Sequence, residues 1–277
     1  MPESFGSRLS AAMEARGPLC VGIDPHPQLL GSWGLNDDAA GLERFSLTVV
    51  EAVASLAAAV KPQVALYERH GSAGMAVLER TLAAAAEAGV LSIADAKRGD
   101  IGSTMAAYAD AWLRDGSSLA ADSVTLSPYL GFESLRPALD LAAEHGRGVF
   151  VLALTSNPEG RSVQHVGGGD SVARRIVAAA AAENQRYEEP LGSVGLVVGA
   201  TIGSALGDLD IDLGPVRGPI LAPGLGAQGA TPSDLRETFG QAYPMVLATS
   251  SRGILAAGPD IAALQAATRE TLGGLRG

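Results

Sequence analysis

The sequence predicts a (β/α)₈ TIM barrel, a single domain spanning residues 1–277, and three observations carry the prediction. Eight short β-rich apolar runs recur along the chain, and helix-like segments separate most of them. The charged and polar residues that end those runs would all meet at one rim, where this fold keeps its chemistry. An open doubly wound sheet is the main rival, but no break in composition marks a second domain.

The elements follow in order. "MPESFGSRLSAAMEARG" reads as an amphipathic helix rather than a signal peptide, and it is expected to close the barrel bottom. The strand runs are "LCVGID" (19–24), "AVKPQ" (59–63), "LSIADAK" (91–97) and "SVTLSP" (123–128). They continue with "GVFVLAL" (148–154), "VGLVVGA" (194–200), "PILAPG" (219–224) and "PMVLATS" (244–250). Runs that are apolar almost throughout suit parallel strands covered on both faces. "LERFSLTVVEAVASLAAA" and "SVARRIVAAAAAENQRYEE" supply intervening helices, and their alanines are helix formers. "NPEGRSVQHVGGGD", in the long gap between the fifth and sixth runs, reads as a mobile loop.

Composition narrows the function classes. Hydrophobic residues make up 47% of the chain and aromatics only 4%, so a sizeable core must be mostly Ala, Val, Leu and Ile. A net charge of −10 argues against nucleic-acid and anionic-membrane partners. No apolar run is long enough to span a bilayer. The single cysteine, Cys20, cannot form an internal disulfide, which suits a reducing cytoplasm, and it reads as a buried structural thiol.

"SIADAKRGDIGST" (92–104) sets four charges among six residues at the end of the third run. Strand positions two apart share a face, so Asp95 and Lys97 project together, and Asp100 follows where a helix would begin. Lys61, towards the end of the second strand in "VKPQ", can bring a second ammonium to Asp95. Alternating charges lower one another's desolvation cost. A fixed, protonated lysine can donate a proton or stabilise a developing carbanion, and is ill suited to forming a Schiff base.

"PGLGAQG" places Gly224, Gly226 and Gly229 in G-x-G-x-x-G spacing. A dinucleotide site would need an acid ending the next strand; that strand ends "LATSS", so the reading fails. The loops after strands seven and eight form the recurrent phosphate site of these barrels, and Gln228 and Arg252 supply donors there. The competing reading is a plain glycine turn beside a surface arginine.

At this point the chain resembles a known family. "DAKRGDIGST" matches the D-x-K-x-x-D-I-x-x-T signature of the orotidine 5′-phosphate decarboxylase family. "VGID", "KPQ", "TSNP", "VVGAT", "PGLGAQG" and "SSRG" match further segments in order, and "SPYLGFES" and "TSNPEG" resemble its longer bacterial branch. The resemblance implies a homodimer with shared active sites that converts orotidine 5′-phosphate to UMP and CO₂ without metal or organic cofactor. It implies that Lys97 protonates C6 of the pyrimidine, that Asp95 lies beside the departing carboxylate, and that Lys61 holds Asp95 and a ribose hydroxyl. Asp100 and Thr104 would reach into the partner's site. Asp24 would bind ribose hydroxyls, Ser156 the pyrimidine edge, and Gln228 and Arg252 the phosphate.

His26, His70, His145 and His165 show no metal-ligand spacing. His26 is a candidate to line the pocket by location, Ser127 a weak one, and Arg98, followed by Gly99, reads as part of a turn. Two other functions compete: a magnesium-dependent keto-sugar-phosphate decarboxylase, which would need a further carboxylate near Asp95, and a non-catalytic nucleotide-binding barrel.

Overall fold

A computed structural model describes residues 2–226 and 229–276. Its centre is a closed barrel of eight parallel strands: β1 Leu19–Ile23, β2 Ala59–Pro62, β3 Leu91–Arg98, β4 Ser123–Leu126, β5 Gly148–Leu154, β6 Val194–Val198, β7 Ile220–Pro223 and β8 Val246–Ser250. Each strand pairs with its neighbours in chain order, and β1 meets β8 with Val21 opposite Ser250. Each falls inside, or within one residue of, an apolar run, because strands buried on both faces need apolar residues at consecutive positions.

Helices Ala39–Val53, Gly71–Glu87, Gly102–Leu113, Arg136–Glu144, Val172–Asn184, Pro232–Phe239 and Ile261–Arg276 pack outside the barrel, and only short turns cross from β6 to β7. The alanine-rich helix stops at Asn184, earlier than its run suggests, because that side chain turns inward. Its amide donates to the carbonyls of Val194 (2.7 Å) and Val216 (2.9 Å) and accepts from the Val194 N–H (3.1 Å). No helix among the described residues is long and apolar enough to cross a membrane.

The helix Phe5–Arg16 plugs the barrel bottom as expected. Phe5 and Leu9 are fully buried against Cys20, Ile93, Phe150 and Leu247 inside the barrel, each contributing about 1.5–3 kcal/mol by area. The Phe5 ring meets Phe150 edge-on at 6.0 Å between centroids. Gly148 is required beneath it, since a Cβ there would lie 2.2 Å from the ring. Cys20 faces this interior, and burial pushes its thiol up to about 12, which disfavours the thiolate.

The segment after β5 differs from its loop reading. It is built of turns, at Pro158–Gly160, Arg161–Gln164 and Gly168–Asp170. Gln164 fastens them to the barrel, accepting from the Thr155 N–H at 2.9 Å and donating to its hydroxyl at 2.7 Å.

Candidate active site

The C-terminal strand ends surround a cavity of about 330 Å³, a size that suits a small ligand. Lys61 from β2 and Asp95 and Lys97 from β3 share it with Asp24 and Arg252, above an apolar floor of Leu152, Val197 and Leu221.

Asp95 is the hub. Lys61 Nζ donates to its Oδ2 at 2.9 Å, Lys97 Nζ donates to Oδ1 at 2.6 Å, and the Thr125 hydroxyl donates to Oδ1 at 3.0 Å. In the orientation that satisfies both ends of its amide, Gln63 also donates to the Asp95 carbonyl at 2.9 Å. Burial pushes the Asp95 carboxyl up, but the Lys61 and Lys97 charges outweigh it and hold the group well below the usual carboxylate range. Burial likewise pulls the Lys61 ammonium down, and Asp95 and Asp24 more than offset it, so Lys61 stays charged. Lys97 differs from Lys61 in exposure: its side chain is 46% accessible and reaches into the cavity mouth. It also bends the strand, with φ at 48°, a region that residues bearing a Cβ seldom adopt.

Arg252 begins the turn Arg252–Leu255 after β8, beside Gly224 and Leu225 from the end of β7. Gly224 and Gly226 both have positive φ (126° and 76°), a conformation that lets the backbone approach a ligand closely. Asp24 accepts from the Ser251 hydroxyl, while its other oxygen, Oδ1, is buried without a partner. Among the described residues no group of three His, Cys, Asp or Glu side chains is arranged to hold a metal ion.

Residues 17–267 match the model of the orotidine 5′-phosphate decarboxylase / HUMPS family. The chain is 61% identical to orotidine 5′-phosphate decarboxylase of Streptomyces coelicolor over 96% of its length and 94% of the relative's. It is 58% identical to the Salinispora arenicola enzyme of the same name, with 99% and 98% covered. A crystal structure from Streptomyces avermitilis, assigned the same activity, superposes with a TM-score of 0.94 at 59% identity, covering 99% of this chain and 95% of that one. The OMP decarboxylase of Leishmania donovani superposes at 0.77 with 31% identity, covering 99% and 98%.

The chain belongs to the orotidine 5′-phosphate decarboxylase / HUMPS family.

Of the family residues expected from the sequence, the cavity brings together Asp24, Lys61, Asp95, Lys97 and Arg252. Ser156 stands apart, exposed in a neighbouring depression with Arg161 and His165. Asp100 and Thr104 do not line the cavity; Asp100 accepts from the Ile101 N–H at 2.8 Å, and Thr104 is exposed on its helix. Gln228 lies outside the described residues. His26 is exposed and does not line the cavity, and neither does Ser127. His70 and His145 face Asp37 and Asp115. Arg98 is the last residue of β3, not part of a turn: its guanidinium lies 5.7 Å from the Tyr108 and Trp112 ring centres and pairs with Glu68. Thr125, Asn157 and Ser251 belong to the site or its network and were not anticipated. Thr125 left little signal, being one of three hydroxyls in the run "SVTLSP".

Proposed function

We propose that the protein is a carboxy-lyase that converts orotidine 5′-phosphate to UMP and CO₂ in pyrimidine biosynthesis. The observation that carries this reading is the state of Asp95, whose two oxygens are each engaged by a lysine ammonium. A magnesium-dependent keto-sugar-phosphate decarboxylase needs a carboxylate free to hold a divalent cation, and two adjacent ammoniums oppose one. A barrel that merely binds nucleotides has no use for so costly a buried network.

In the proposed step the bond between C6 and the carboxylate breaks, its electron pair stays on C6, and CO₂ departs. Lys97 delivers a proton from Nζ to that carbon. The ring delocalises the developing charge poorly, and a preorganised ammonium stabilises that charge electrostatically. Asp95 lies beside the leaving carboxylate, and Lys61 holds Asp95 and a ribose hydroxyl. Asp24, with its unpartnered oxygen, takes ribose hydroxyls. Arg252 and Gln228 grip the phosphate, and Ser156 meets the pyrimidine edge when the segment after β5 closes over the ring. A cytoplasmic location accords with the single cysteine.

Purified protein is expected to turn orotidine 5′-phosphate into UMP, followed by absorbance, with equal rates in the presence and absence of chelator. Loss of turnover in chelator, or turnover only of keto-sugar phosphates, would overturn the reading.

The protein also acts as a homodimer in this proposal, with Asp100 and Thr104 completing the partner's site. Ile101, between them in the chain, is 61% exposed and Tyr129 is 78% exposed, large apolar groups of the kind an interface covers. Mixing Lys97→Ala with Asp100→Ala chains then restores one intact site per hybrid, about a quarter of wild-type activity for a twofold dimer after random exchange. Free subunit exchange without recovery would sink the shared site.

A further inference from the structure

Lys97 adopts its strained backbone at a point where the strand ladder lapses. The ladder between β3 and β4 shifts register between Ala94 and Arg98, so regular pairing is lost across the residue. Its N–H is instead taken by a side chain, donating to Thr125 Oγ1 at 2.9 Å. The same hydroxyl donates onward to Asp95 Oδ1 at 3.0 Å, and that oxygen accepts from Lys97 Nζ at 2.6 Å. These bonds form a closed ring that starts on the Lys97 backbone and returns to its ammonium. Thr125 is 1% exposed, so water does not stand in for it.

We propose that Thr125 is a positioning residue for the reaction: it sets the Lys97 backbone and the Asp95 carboxylate against each other, so that Nζ points at the reacting carbon. The role rests on the decarboxylase reading and extends it. A hydroxyl is required because it must accept and donate at once. Valine has nearly the same shape and can do neither, whereas serine can do both.

Thr125→Val is expected to lower kcat about 100-fold, the scale of a misplacement near 1 Å. UMP affinity, measured by calorimetry, stays within about threefold, because the phosphate and ribose contacts lie elsewhere. Thr125→Ser recovers kcat to within about fivefold of wild type on the same argument. A Val variant with kcat within twofold of wild type, parallel losses of kcat and affinity, or a Ser variant as impaired as Val would each overturn the proposal. Thr125→Ala replaces Val if the latter does not fold. Wild-type turnover measured alongside reports on the decarboxylase reading by itself. Should that be absent, crystal structures of the two variants decide the positioning role. Lys97 leaving positive φ in Val but not in Ser supports it; an unchanged Lys97 in Val overturns it.

Discussion

Replacing Lys97 by alanine is expected to lower turnover of orotidine 5′-phosphate by at least about 10⁴-fold, since in the proposed step one group supplies both the proton and the charge that faces C6. The fold should survive. The side chain is nearly half exposed at the cavity mouth, so truncation opens no core void, and Asp95 keeps Lys61 as its counterion. UMP affinity should fall far less than kcat, because the lysine acts mainly where negative charge builds during the reaction. Single-turnover formation of UMP, with binding measured in parallel, checks both parts. A folded Lys97→Ala variant that keeps more than about a tenth of wild-type kcat would remove Lys97 from the chemistry.

Replacing Asp95 by asparagine is expected to destabilise the fold by about 3–5 kcal/mol, the usual cost of breaking a buried ion pair from one side. Lys61, 5% exposed, is left facing a neutral amide with a second ammonium nearby. The dependence on pH has a definite sign. Burial pushes the Asp95 carboxyl up, but the lysine charges hold it below its ordinary 3.8, so its contribution is complete above that value and is lost as pH falls beneath it. Lys61 is held above its ordinary 10.5 despite burial, so its contribution is complete below that value and is lost as pH rises beyond it. The stability gap between wild type and Asp95→Asn therefore narrows as pH falls beneath 3.8, where wild-type Asp95 becomes protonated, and as pH rises to where the variant's Lys61, no longer held up by Asp95, gives up its proton. Urea unfolding at a series of pH values measures it. A gap under about 1 kcal/mol at neutral pH would mean that Lys61 finds its stabilisation elsewhere.

The barrel was legible because its signal is local. Strands such as "GVFVLAL" and "VGLVVGA" are apolar at consecutive positions, and each is separated from the next by a helical pattern or turn residues. The charged centre was legible for a related reason: carboxylates and ammoniums at the ends of buried strands demand partners, and the fold says which rim they share. Side chains whose role depends on packing were not legible. Arg98 looked like part of a turn because a glycine follows it, yet Tyr108 and Trp112, carried on the next helix, hold it against the barrel wall. Thr125 could not be singled out because its task exists only where Lys97 leaves the extended conformation. The short turns after β5 were not legible either, because the Gln164–Thr155 bonds that organise them join residues nine apart by side chain.

The plug at the barrel bottom bears on how the protein is made. The helix Phe5–Arg16 precedes in the chain most of the residues it packs against. Its docking requires Phe150 against Phe5 and the Ser193 hydroxyl accepting from the Gly6 N–H, a contact spanning 187 positions in the chain. Until those residues are synthesised, the apolar face of the helix has nowhere to bury, and the barrel interior it will fill does not yet exist. A nascent chain of this protein therefore keeps that apolar helix face uncovered until Ser193 is made, just ahead of the sixth strand.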